Sequence, residues 1–206
     1  MEKKVSINQR ISINIIEMAM KAALSGSFSP EYAYNLASGE FSGENRIRKA
    51  RGLIGKLTVR NPIFPFIQLQ KENFLEAISY RGDRALVYAA IINSVFGFGY
   101  DTTVLLGKFF HVQDEVATQL ITKKLSVIYA SNRTLPNAIN SILPMYIEAG
   151  FICRPKIGTY TKPKLDIKTQ FARELYLKSF FINNPMLNEK EYDCTDNPYF
   201  EFCVEP

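Results

Sequence analysis

The stretch from residue 131 to 165 constrains the fold of this chain more than any other. It reads Ser-Asn-Arg-Thr-Leu-Pro-Asn-Ala-Ile-Asn-Ser-Ile-Leu-Pro-Met-Tyr-Ile-Glu-Ala-Gly-Phe-Ile, followed by a short segment rich in Lys, Tyr and Pro. Ser131 or Asn132 can cap a helix, because a short side-chain oxygen accepts from the free N–H groups of the first turn. Pro136 falls in that first turn, where a missing N–H costs little. Ile139, Ile142, Leu143 and Tyr146 recur at helical spacing and make one apolar face, leaving Asn137, Asn140 and Ser141 on other faces. Gly150 stops the helix. Pro144 works against it, since an interior proline removes one backbone bond and should kink or end the helix. Phe151, Ile152 and Cys153 then predict a short strand, and Arg154, Lys156, Tyr160, Lys162 and Lys164 decorate a turn centred on Ile157-Gly158-Thr159. Turn, helix, stop, strand and basic hairpin is the layout of a winged helix, which sets a helix start beside a cationic loop. An ordinary helix and hairpin with a solvated basic loop stays open as the alternative.

A second segment repeats the theme. Ser29-Pro30-Glu31 predicts a short helix with cap, first-turn proline and first-turn acid, ending near Ser38-Gly39. After a turn, a longer helix runs from Glu44 to about Thr58. Ile47, Ala50, Ile54 and Leu57 form its core-facing seam. Arg46, Lys49, Lys56 and Arg60 fall on one flank, Arg48 and Arg51 on the far side. Between Glu44 and Arg60 six basic residues stand against one acid. Short helix, turn, basic helix is a helix-turn-helix layout, and cations so arranged can neutralise phosphates. Gly52 and Gly55, each about 1 kcal/mol worse than Ala in a helix, mark a close approach, by another helix or by a phosphate.

Elsewhere the periodicity predicts helices over 8–24, 71–80, 83–97, 101–110, 112–129 and 168–183, with Asp83 and Asp101 as caps of the third and fourth. Phe171, Leu175 and Phe180 face inward on the last. Phe96-Gly97-Phe98-Gly99-Tyr100 is expected as a loop, and its glycines do not match a phosphate-cradling motif. Asn61-Pro62-Ile63-Phe64-Pro65 is the expected domain boundary. The fold class is mainly α: a helical bundle with an N-terminal helix-turn-helix-like domain (1–61), a helical core with a winged-helix-like domain carrying a small β-hairpin (62–188), and an acidic tail (189–206).

Charge separates the tail from the rest. The chain is +5 overall, yet residues 189–206 hold six carboxylates against one lysine, so the other residues carry +10. A basic body suits a polyanion partner. The tail reads as a solvated terminus, a docking segment, or a strand competing for the basic face. The three cysteines are too few and scattered for a disulfide framework or zinc site, and reduced cytoplasmic thiols are the simplest reading. No apolar core of signal-peptide length stands at the N-terminus. The most apolar run, Ala85 to Phe98, is too short to span a bilayer.

Enzyme chemistry finds little footing. His111 is the sole histidine, and no P-loop, dinucleotide fingerprint, HExxH or nucleophile elbow occurs. Asp166-Ile167-Lys168 faintly resembles the end of a metal-dependent nuclease motif but lacks a convincing second carboxylate. No cofactor or metal is expected.

The order of these elements resembles the BrxA family of the bacterial BREX phage-defence systems, a family also labelled a putative inner-membrane protein. The resemblance covers roughly residues 13–165. It rests on Ser25-Gly26-Ser27-Phe28-Ser29-Pro30-Glu31, Ser42-Gly43-Glu44-Asn45-Arg46 leading to Gly55-Lys56-Leu57, Asp83 to Ile91, and Ser131-Asn132-Arg133-Thr134 leading to Ile147-Glu148-Ala149-Gly150-Phe151-Ile152. Pro144 and the acidic tail depart from the pattern. The resemblance implies a small, all-helical, non-enzymatic DNA-binding component working beside a methyltransferase and ATPases.

The expectation is therefore a cytoplasmic, sequence-tolerant binder of double-stranded DNA. Arg46, Arg48, Lys49, Arg51 and Lys56 hold phosphates from one unit; Arg133, Asn137, Asn140, Lys156, Tyr160 and Lys162 do so from another, at the opposite end of the body. Other phage-defence proteins are possible partners, and no membrane is. A protein–protein adaptor and a winged-helix transcription regulator remain as alternatives.

Overall fold

The fold is organised around a helix apolar on nearly every side, as its sequence requires. Ala85 to Ser94 are all buried in α6 (Arg81–Val95), and a helix without a polar face belongs inside a core. The computed structural model describes residues 5–130 and 132–203. Among them are ten α-helices, three short strands and one 3-10 helix. Helices α1 (Ile13–Leu24), α2 (Pro30–Glu40) and α3 (Glu44–Leu57) pack together at one side. Short helices α4 (Phe64–Leu69) and α5 (Lys71–Ala77) lead into α6, which α7 (Gly97–Phe110), α9 (Leu135–Ala149) and α10 (Gln170–Asn183) surround. Between α7 and α9 come β1 (Glu115–Ala117) and α8 (Thr118–Tyr129); β2 (Cys153–Lys156) and β3 (Thr159–Thr161) follow α9.

The sheet is antiparallel with β3 central, in the order β1-β3-β2. Val116 stands opposite Tyr160, and both side chains are buried. The sequence predicts only the β2–β3 hairpin and counts residues 115–117 within a helix. Three residues are too few to show an alternating pattern, and β1 exists through a partner more than forty residues later. The hairpin closes at Gly158, whose φ of 79° suits a residue without a Cβ.

Several local expectations hold. Ser29 accepts from the Tyr32 N–H at 3.0 Å with Pro30 opening α2, and Gly150 ends α9 at φ 81°. Others shift. Residues 8–11 precede α1, whose cap is Ser12. Phe96–Tyr100 is not a loop: α6 ends at Val95 and α7 begins at Gly97. Asp83 and Asp101 are not caps of their own helices. Asp83, buried, accepts from the Lys168 and Thr169 N–H groups at 2.7 and 2.8 Å, just ahead of α10. Asp101 accepts from the Tyr129 hydroxyl at 2.6 Å. Helix α9 runs through Pro144 to Ala149. Its buried face, held against the core, outweighs the missing bond. Ser131 lies outside the described residues. Asn132 forms a turn with the Thr134 N–H at 3.0 Å and does not cap α9.

The expected boundary at residue 61 is a packed corner. Asn61 is buried, donates to the Ile91 carbonyl at 2.9 Å, and accepts from the Ser94 hydroxyl at 2.8 Å. One continuous apolar cluster runs from Ile7 to Phe202 and crosses all three expected segments. Inside it a polar network joins four helices to the 3-10 helix Pro198–Phe202. Tyr146 reaches Asn93 Oδ1 at 2.5 Å and the Gly99 carbonyl at 2.8 Å, Asn93 donates to Thr103 and Tyr199 at 3.0 and 3.1 Å, and Tyr199 meets Ser179 at 2.6 Å. Burial drives the Tyr146 phenol well above its ordinary pKa, so it stays a hydrogen-bond donor.

Candidate functional site

The seam of α3 faces the core through Ala50, Leu53, Ile54 and Leu57, which turns its cationic flank outward. α9 buries most of its length but exposes Pro136, Asn137 and Asn140 near its N-terminal end. The segment before α1 lies along both. Gln9 donates to the Arg46 carbonyl at 3.3 Å. Arg10 pairs with Glu148 of α9 at 2.7 Å, and the other Glu148 oxygen accepts from the Ile13 N–H at 2.9 Å. These contacts fix a groove of about 560 Å³ whose walls include Arg46 and Lys49 on one side and Thr134, Asn137 and Asn140 on the other. Arg46 stands over the Phe41 ring at 5.5 Å, a contact that orients a guanidinium without neutralising it. Glu40, the one carboxylate lining the groove among the described residues, accepts from the Ser12 hydroxyl at 2.8 Å.

The structure thus gathers Arg46, Lys49, Asn137 and Asn140, which the sequence assigns to opposite ends of the body. Among the described residues, Arg46, Lys49, Arg51, Lys56 and Arg133 have no carboxylate within ion-pair distance. Lys56, seven residues beyond Lys49, continues the same face of α3. The Asn137 and Asn140 carboxamides likewise have no hydrogen-bond partner among the described residues. Pro144 leaves the Asn140 carbonyl without its usual helical donor.

The remaining expected site residues are occupied elsewhere. Arg48 pairs with Glu44 at 2.6 Å; the Tyr34 hydroxyl, then Arg48, hold that carboxyl below its usual pKa. Lys156 pairs with Glu115 at 3.0 Å, and Lys162 with Glu201 at 2.6 Å. Neither lysine lines the groove. Tyr160 is a correction: at 6% exposed it is a core residue of β3, its hydroxyl 3.4 Å from Thr118. Its β-strand alternation turns it inward. Gly55 also has a different reason from either expected one. The Arg60 guanidinium folds back over it and donates to the Gly52 carbonyl at 2.7 Å, so the close approach is a side chain of the same helix's end.

The acidic tail is exposed over most of 189–196 but packs onto the core at the 3-10 helix Pro198–Phe202. Tyr199 and Phe202 are buried, and Glu201 meets His111 at 3.3 Å as well as Lys162. Pro198 packs so closely on Gly107 that a Cβ there would collide with its carbonyl. Burial pushes the Cys203 thiol up to about 12. Arg10, Gln9 and Glu148 have no local signature, and only the folded chain reveals them as parts of the groove.

Among the described residues no group of three or more His, Cys, Asp or Glu could hold a metal ion, and no helix is long and apolar enough to cross a membrane. Compared with protein-family models, curated proteins and solved structures, the chain matches none.

Proposed function

We propose that the protein is a non-enzymatic binder of double-stranded DNA, and that the α3–α9 groove with its flanks is the contact surface. The observation carrying this reading is the convergence of Arg46 and Lys49 with Asn137 and Asn140 at one groove, with Lys56 and Arg133 also exposed and without an ion-pair partner among the described residues. Cations without internal carboxylates are available to displace counterions from phosphates, the dominant and sequence-independent part of DNA affinity. The order α7, β1, α8, α9, β2, β3 around a central β3 supports a winged-helix reading, with α9 as the helix presented to DNA and β2–β3 as the wing. The packed α2–α3 pair supports the helix-turn-helix-like reading of the N-terminal unit. With the resemblance to the BrxA family, these features favour an accessory, cytoplasmic role in a phage-defence assembly.

A gel-shift series on unrelated duplexes tests the reading. Binding should appear at low salt on every duplex and weaken steeply as salt rises. Failure to bind at 50 mM salt, or binding indifferent to salt, rejects it.

An adaptor role is the second reading. It is favoured by an apolar hollow lined by Pro62, Ile63, Pro65, Phe66 and Phe181, beside an almost fully exposed Leu69. A partner-docking function predicts that Leu69→Asp abolishes complex formation without altering any DNA shift.

A further inference from the structure

Phosphate contacts alone do not account for the wall of the groove that faces Arg46 and Lys49. Asn137 and Asn140 are neutral, exposed, three residues apart on one face of α9, and lack any hydrogen-bond partner among the described residues. Asparagine is a poorer helix former than alanine, and no side-chain hydrogen bond among the described residues offsets that here. A carboxamide adds nothing to counterion release. It does carry one donor and one acceptor held side by side, the pattern that matches the N7 acceptor and N6 donor of adenine in the major groove.

Resting on the DNA-binding reading above, we infer that Asn137 and Asn140 read adenine edges in the major groove, giving an otherwise sequence-tolerant protein a preference for A·T steps. The geometry suits it. Residues at i and i+3 on a helix stand about 5–6 Å apart at Cβ, within the span of two base-pair steps of about 3.4 Å each. The N-terminal residues of a helix lying in the major groove are those that reach base edges, and these two follow Pro136 in the first two turns of α9. Arg46 and Lys49 across the groove, and Arg133 ahead of the helix, flank the carboxamides with cations. Flanking cations hold the sugar–phosphate strands while the amides meet the bases.

The experiment compares full-length protein on three duplexes of equal length: one with an A·T-rich centre, one with a G·C-rich centre, and one with the A·T centre built from 7-deaza-adenine. The last lacks N7 but keeps the charge and the minor-groove edge. The A·T duplex should bind about tenfold tighter than the G·C duplex, a typical discrimination for one good bidentate contact. The 7-deaza duplex should fall to the G·C level. The Asn137→Ala/Asn140→Ala variant should bind all three as wild type binds the G·C duplex. Equal binding of the A·T and G·C duplexes overturns the inference and leaves phosphate binding standing, and so does an A·T preference that survives 7-deaza substitution, which reports minor-groove shape. Absence of binding to every duplex at low salt overturns both.

Discussion

In the groove between α3 and α9, Arg46 and Lys49 meet neutral side chains and no carboxylate within ion-pair distance among the described residues. On the hairpin, Lys156 and Lys162 each sit on a glutamate. The two regions look alike as sequence, since both are runs of Lys and Arg near a turn. They differ in what the fold brings to them. Lys162 meets Glu201, thirty-nine residues away, because the C-terminal segment packs along α7. A cation with a carboxylate at that distance gives up part of its attraction for an external anion. Count of charge therefore says less about a binding surface than the placement of the opposite charge.

The largest effect expected is on the side of the molecule where charge is compensated. Truncation from residue 189 onward removes Tyr199 and Phe202 from the core, and loss of even one large buried aromatic costs about 3–5 kcal/mol. The truncated chain should lose its cooperative urea transition and its near-ultraviolet dichroism. A truncated chain that stays folded and binds DNA more tightly would break the comparison, because the segment would then be a removable acidic strap. Next comes the groove itself. Arg46→Glu with Lys49→Glu should lower duplex affinity roughly 100-fold near 0.1 M salt and flatten the log–log salt slope by about two, with the melting temperature nearly unchanged. The same measurement on Lys162→Ala sharpens the contrast. Affinity should shift less than about threefold, while stability falls by about 1 kcal/mol as the mostly buried Glu201 loses the nearer of its two partners and keeps His111. Arg48→Ala is the smallest case. Its pair with Glu44, one helical turn apart, is exposed and screened by solvent, so the urea midpoint should stay within error of wild type.

Glu17 extends compensated charge into the interior and adds a pH test. Burial pushes its carboxyl up, but Lys21, Tyr88 and Arg84 outweigh this and hold it below the usual 4.5. A folded value below the unfolded one means stability that is fully present above 4.5 and lost as pH falls through the lower, folded value. Glu17→Gln should flatten that acid limb of the stability profile and leave DNA binding as it was. An unchanged acid limb contradicts the assignment.

Legibility in the sequence followed the range of the interactions involved. Ser29-Pro30, Gly150 and the α3 seam announced themselves because caps, stops and stripes are made by residues a few positions apart. β1 was hidden, since its three residues acquire meaning only beside β3. Asp83 reads as a cap of its own helix, but its carboxylate holds the Lys168 and Thr169 N–H groups, the first of them eighty-five residues away, ahead of a helix that Thr169 caps. Tyr160 and its neighbouring lysines read as one decorated loop, although strand alternation turns the tyrosine inward. The cations of α3 and the amides of α9 were both readable, whereas their meeting at one groove depends on Arg10, Glu148 and the path of the N-terminal segment.

That Glu148 contact spans 135 to 138 residues of chain, and the span imposes an order on events during synthesis. A growing polypeptide displays the α3 cations about ninety residues before α9 is complete. At about 5–20 residues per second the delay is roughly 5–20 s. Throughout that interval the amino-terminal helix lacks the glutamate that accepts from its first turn, and the basic flank has no opposite wall. The groove therefore belongs to the finished chain and has no precursor in the segment made first.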